Sequence, residues 1–117
     1  MLENAEYLGT GHLLATRALA RYNDHVFHLL SRRLPRGGKL AEFGPGLGDF
    51  AERFQKAGMP VDAVEREGEF QEGLRKFSPR VVSTLAELPG LYDAIVAVNV
   101  LEHIEDDGAV LREFFAK

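Results

Sequence analysis

One hundred and seventeen residues with a formal net charge of -4, 45% apolar and 27% charged, are expected to form one globular domain, too apolar for intrinsic disorder and able to bury about two-thirds of its unfolded surface. The acidic balance gives no electrostatic footprint for nucleic acid or an anionic membrane, both of which demand clustered Lys and Arg. The absence of cysteine excludes a disulfide framework and a thiolate nucleophile, the start Met1-Leu-Glu-Asn-Ala-Glu reads as no secretory signal, and the longest apolar run, Ala94 to Val98, is too short for a bilayer, so a cytoplasmic protein is expected.

From Gly11 to Leu34, apolar residues including Leu13, Leu14, Ala18, Leu19, Tyr22, Val26, Leu29 and Leu30 recur near the helical period with charges between them, which predicts a long amphipathic helix. Pro35 and the Gly37-Gly38 pair end it, and Arg32, Arg33 and Arg36 suit the negative end of its dipole better than a phosphate site. His25 and His28 can share a face of this helix, but no third ligand accompanies them, so no metal site is expected. His12 stands near Tyr7 in the N-terminal segment.

Beyond Gly38 short apolar runs alternate with helical stretches, the pattern of an α/β protein with a parallel sheet and crossover helices. Strands are expected at 39–43, 61–65, 81–82 and 92–98, and helices at 49–57 and 67–77, with a short turn within 84–89. In the last helix Val110, Leu111, Phe114 and Phe115 form the expected buried stripe, capped by Asp106 or Asp107.

The stretch Leu40-Ala-Glu-Phe-Gly-Pro-Gly-Leu-Gly-Asp49 carries chemistry as well as topology. A strand running into Gly44-Pro45-Gly46-Leu47-Gly48 and then a helix is expected to expose backbone amides at a helix N-terminus, and glycine admits a ligand close to the backbone. Glycine turns of this kind also occur for purely topological reasons. Three residues at the C-terminal ends of expected strands favour a ligand: Glu42, Glu65 and Asn99. Glu65, with two oxygens, can accept both hydroxyl protons of a ribose. A dinucleotide site would use the spacing Gly-x-Gly-x-x-Gly, whereas here it is Gly-x-Gly-x-Gly, and Glu42 would repel a pyrophosphate. A carboxylate at that point fits a nucleoside bearing a cationic amino acid.

LAEFGPGLG, VDAVERE and YDAIVAVNVLEHIEDD, in this order and spacing, resemble the class I S-adenosylmethionine-dependent methyltransferases, in particular the small-molecule subgroup. The resemblance implies a Rossmann-like three-layer sandwich with strand order 3-2-1-4, an N-terminal helix at about 11–34 and a core at about 39–117. It implies S-adenosyl-L-methionine as cofactor, S-adenosyl-L-homocysteine as product and a small-molecule methyl acceptor. Carried over residue by residue, it places Glu42 near the methionine end of the cofactor, with Gly44, Pro45, Gly46 and Gly48 lying against it. Glu65, followed by Arg66, holds the ribose, and Thr84 and Leu85 stand at the adenine, where many relatives have an aspartate. Asn99 faces the same crevice, and His103, with a pKa near neutrality, is the candidate general base, although a histidine beside Glu102 and Glu105 also serves as a structural partner of those acids. The family pattern continues beyond Lys117 with strands 5 to 7, which this sequence is expected to lack. The fourth strand then lies at an edge, a hazard relieved by a homodimer through that edge, by cover from the N-terminal helix or by the remainder of a longer chain.

Overall fold

The computed structural model describes the backbone of residues 2–98 and 107–117, and the side chains of 17–98 and 108–117. The chain divides into two compact units, Met1–Arg33 and Leu34–Lys117.

The first unit is a helix, α1 (Leu2–Ser31), which begins nine residues before the expected start at Gly11. Gly9 and Gly11 lie within it, so glycine did not mark its beginning, consistent with the modest helical penalty of about 1 kcal/mol per glycine. At its C-terminus Arg33 Nη1 donates to Leu29 O at 3.2 Å and Ser31 Oγ donates to His28 O at 3.2 Å. Arg33 N turns to Leu30 O at 2.9 Å, so its side chain satisfies the carbonyl of Leu29 that its main chain leaves open, while His28 O also accepts from Arg32 N at 3.3 Å. Leu19 and Tyr22, both counted in the apolar stripe, are exposed.

The second unit is a four-stranded parallel sheet. Its elements run β1 (Leu40–Phe43), α2 (Asp49–Lys56), β2 (Val61–Val64), α3 (Gly68–Leu74), β3 (Val81–Val82), a 3-10 turn at Leu85–Glu87, β4 (Ala94–Val96) and α4 (Asp107–Phe115). The strand order is β3-β2-β1-β4, as expected. β2 and β4 are shorter than the apolar runs that announced them, because pairing stops where the strand ends turn into loops, and α3 ends at Leu74, three residues before the expected Phe77.

Register explains the two faces of the sheet. Glu42 pairs with Ala63 and Val96, while Ala41 pairs with Asp62 and Ile95, and side chains of parallel neighbours in register share a face. On the Ala41 face, Ala41, Val64, Leu85 and Leu88 are buried together, with Phe43, Ile95, Val110 and Phe114 packed against them. Phe43 and Phe114 meet edge to face at 5.3 Å, a favoured aromatic arrangement. Helix α2 buries Phe50, Ala51 and Phe54, and α3 buries Leu74. In α4, Val110 and Phe114 pack inward as expected, whereas Leu111 is 40% and Phe115 91% exposed. A stripe of all four is wider than the arc this short helix presents to the sheet. The capping positions Asp106 and Asp107 lie outside the described side chains.

The lower edge is fastened by polar contacts. Tyr92 Oη donates to Asp62 Oδ2 at 2.6 Å, across the sheet, and Lys39 N donates to Asp93 Oδ2 at 2.6 Å. Among the described residues no helix is long and apolar enough to cross a membrane.

Phe54 is fully buried, so Phe54→Ala should destabilise the fold by about 3 to 5 kcal/mol. Urea unfolding followed by circular dichroism measures this, and a loss below about 1 kcal/mol would show that α2 does not seat the core.

Candidate functional site

The C-terminal ends of β1, β2 and β3 converge on one edge of the sheet, where the loops β1–α2, β2–α3 and the segment after β3 meet. The β1–α2 loop owes its shape to Gly44, Gly46 and Gly48, all at positive φ (69°, 58° and 91°). A side chain at those angles is strained. At Gly48 space also matters: a β-carbon would lie 3.1 Å from Leu74 Cδ2 and 3.2 Å from Phe77 Cδ2, whereas at Gly46 it would meet nothing within 4 Å. Gly48 therefore serves packing between α2 and the end of α3, and Gly46 leaves an open approach to the backbone.

The amides of this loop correct one expectation. Gly44 N donates to Val64 O at 2.8 Å, Gly46 N to Glu65 Oε1 at 2.9 Å and Gly48 N to Pro45 O at 3.0 Å. All three glycine amides are thus turned to acceptors within the chain and do not form a cradle for an anion. Phosphate binding loses its usual donors here. The helix that follows reinforces the point, since its first turn carries Asp49 and Glu52, which already complement the positive end of the dipole.

Glu65 is 7% exposed and directly follows β2. Its Oε1 accepts from Gly46 N, and its Oε2 accepts from Glu67 N at 3.0 Å. The two oxygens offer about four acceptor sites, so two remain for hydroxyl protons. The acid thus has a task in shaping the loop that its position at a strand end did not announce.

Glu42 is 2% exposed, and its Oε1 has no hydrogen-bond partner among the described residues. Burial without a partner is expensive for a carboxylate. Its pKa is pushed from the ordinary 4.5 to about 8, first by desolvation and then by the negative charges of Asp49 and Glu65. Such a group stays neutral by keeping its proton or becomes an anion when a cation arrives beside it.

The other expected site residues divide. Arg66 and Thr84 are exposed, and Thr84 Oγ1 donates to Glu87 Oε1 at 3.0 Å. Leu85, which directly follows Thr84, is 4% exposed and belongs to the core cluster on the Ala41 face. Pro45 lies in the glycine turn. Asn99 and His103 lie outside the described residues, as do the side chains of Tyr7 and His12. Two participants escaped the sequence reading. Asp49, inside the quoted stretch, reads as a helix start but adds charge near Glu42. Gln71 reads as a helix surface residue, yet its amide reaches Glu65 O and Ser83 Oγ.

A family model for a methyltransferase domain matches residues 15–117. Among solved structures the chain is similar to magnesium protoporphyrin IX methyltransferase from Synechocystis PCC 6803. The form with bound SAM gives a TM-score of 0.66 and 20% identity over 83% of this chain and 53% of that one. The form with bound SAH gives 0.67 and 21% over 83% and 50%. The chain therefore spans about half the length of those solved structures, and the likeness is one of fold. No curated protein matches the chain.

The raised pKa of Glu42 makes stability depend on pH. With a folded value of about 8 against 4.5, the native protein keeps a proton that the unfolded chain releases between those values. Its stability contribution is full below about 4.5 and falls as pH rises toward 8. Urea unfolding at pH 5 and pH 8.5 should show a decline on the order of a few kcal/mol that Glu42→Gln removes. Equal pH slopes in the two proteins would show that Glu42 ionises freely.

Proposed function

The chain belongs to the methyltransferase-domain family of class I, S-adenosylmethionine-dependent enzymes, and from that premise we propose that it binds S-adenosyl-L-methionine and serves methyl transfer to a small-molecule acceptor. The observation that carries this reading is Glu42, a buried carboxylate with an unpartnered oxygen at the end of β1, beside an open approach over Gly46. A ligand with a cationic amino-acid end satisfies that oxygen, and a pyrophosphate does not. The names of the solved neighbours agree, since those proteins were crystallised with SAM and SAH and act on magnesium protoporphyrin IX, a small molecule.

In this proposal Glu42 faces the ammonium of the cofactor and Gly44, Pro45, Gly46 and Gly48 supply its backing. Glu65 takes the ribose hydroxyls on its remaining acceptor sites, with Arg66 beside it, while Thr84 and Leu85 border the adenine. Asn99 completes the crevice. The cofactor carries a methyl group on a sulfonium and so brings its own activation to the reaction. What remains for the protein is orientation, which places the acceptor in line, and removal of the acceptor's proton. His103 is proposed as the general base for that proton.

Calorimetric titration with S-adenosyl-L-methionine and S-adenosyl-L-homocysteine should give measurable binding, weakened by about 1 to 3 kcal/mol in Glu65→Ala through lost charge-assisted hydrogen bonds. Neither heat nor a thermal shift with either ligand at millimolar concentration, in a folded sample, would sink the proposal.

A second reading is a methyltransferase-like fragment that binds cofactor without turnover and self-associates through β4. It is favoured by one observation: an apolar groove of about 280 Å3 beside β4, lined by Ile95, Leu111, Phe114 and Phe115 among others. Exposed apolar surface at a strand edge invites pairing. On this reading light scattering after size exclusion gives a dimer that Phe115→Glu returns to monomer; a monomeric, active wild type excludes it.

A further inference from the structure

The ends of β2 and β3 are held together by very little strand. β3 has two residues, and its ladder with β2 comprises the pairs Ala63 with Val81 and Val64 with Val82. The last main-chain rung is Glu65 N donating to Val82 O at 2.8 Å. Beyond that rung stand the carboxylate of Glu65 on one side and Ser83-Thr84 on the other. One side chain spans them. Gln71 Nε2 donates to Glu65 O at 2.6 Å and to Ser83 Oγ at 2.9 Å, so both hydrogens of its amide nitrogen are committed.

We propose that Gln71 is a positioning residue of the cofactor site, its carboxamide acting as the missing rung that fixes the distance between the ribose acid Glu65 and the adenine border at Ser83-Thr84. The inference rests on the reading of the site given above. Gln71 is not a catalytic residue, because it acts through Glu65 and Ser83.

Three observations converge on it. Gln71 is the central residue of α3 (Gly68–Leu74), and its own main-chain N–H donates to Glu67 O at 3.1 Å, which anchors the side chain close to the acid it serves. Glu65 in turn holds Gly46 N and Glu67 N, so a shift of its main chain is passed on to the glycine loop. Ser83 Oγ remains able to donate its own hydrogen elsewhere, because it accepts from Gln71. One amide therefore couples the three loops that meet at this edge, and it does so through geometry that helix propensity alone does not require.

Gln71→Met separates these roles, since methionine keeps the length and helix propensity but donates no hydrogen bond. Amide hydrogen exchange by NMR reads the free protein, and titration with S-adenosyl-L-homocysteine reads the loaded one. In Gln71→Met the Gly46 amide should exchange several-fold faster with the thermal midpoint nearly unchanged, and affinity should fall about tenfold. That loss should shrink in a Glu65→Ala background, because the effect passes through Glu65. Ser83→Ala, which removes only one of the two bonds, should lower affinity in the same direction by less. Binding equal to wild type in Gln71→Met, or an undiminished tenfold loss in the Glu65→Ala background, overturns the inference while leaving the cofactor assignment intact. Absence of binding by the unaltered protein overturns the cofactor assignment, and this inference with it.

Discussion

The site depends on the way Glu65 closes the glycine loop. A turn with three positive-φ glycines has many conformations open to it in the unfolded chain, and ordering it costs entropy. Glu65 Oε1 on Gly46 N, with Gly44 N on the carbonyl before Glu65 and Gly48 N on Pro45 O, selects one of those conformations before any ligand arrives. The consequence for chemistry is selective: a loop whose glycine amides already have acceptors is preorganised for contact and has given up anion capture. The same bonds that order the loop thus withdraw its three glycine amides from phosphate binding.

Glu42 is the counterpart of that ordering. The loop brings Asp49 near one side of it and Glu65 near another, while Ala63 and Val96 flank it in register. Apolar neighbours and like charges both favour the neutral acid. An acid held neutral here gives up the proton release that the unfolded chain gains at neutral pH, and nothing in the packing of the sheet requires a carboxyl there. A fold keeps such a group where a ligand repays the cost, which is the physical content of treating a strongly perturbed, buried acid as a site residue.

The alternation of strands and helices was legible in the sequence because apolar runs of strand length, separated by glycine and proline breaks, have few alternative arrangements as a parallel sheet, whereas the order β3-β2-β1-β4 was what the family resemblance implied. The positions of Glu42 and Glu65 at strand ends were legible for the same reason. What pattern could not show was partnership. Gln71 bonds a main-chain carbonyl and a serine, and neither bond leaves a trace in residue type. Nor could pattern show that Leu85, behind a two-residue strand, shares a core cluster with Ala41, Val64 and Leu88. Leu111 and Phe115 failed as buried residues because apolar character on a short helix exceeds the arc that one sheet can cover.

The two halves of the proposed ligand would then be recognised by different physics. At the nucleoside end, Glu65, Gln71 and Ser83 form a hydrogen-bonded chain in which each group is fixed by another, so discrimination there follows from distances and fails when a rung is lost. At the amino-acid end, Glu42 is held by burial and has no bond on Oε1, so discrimination follows from charge and varies with pH. A neutral or anionic group of the right shape satisfies the first set of contacts and leaves the second unmet. Specificity for a nucleoside with a cationic tail therefore needs both ends of the site, one rigid and one electrostatically poised, and the glycine loop is the element that ties them together.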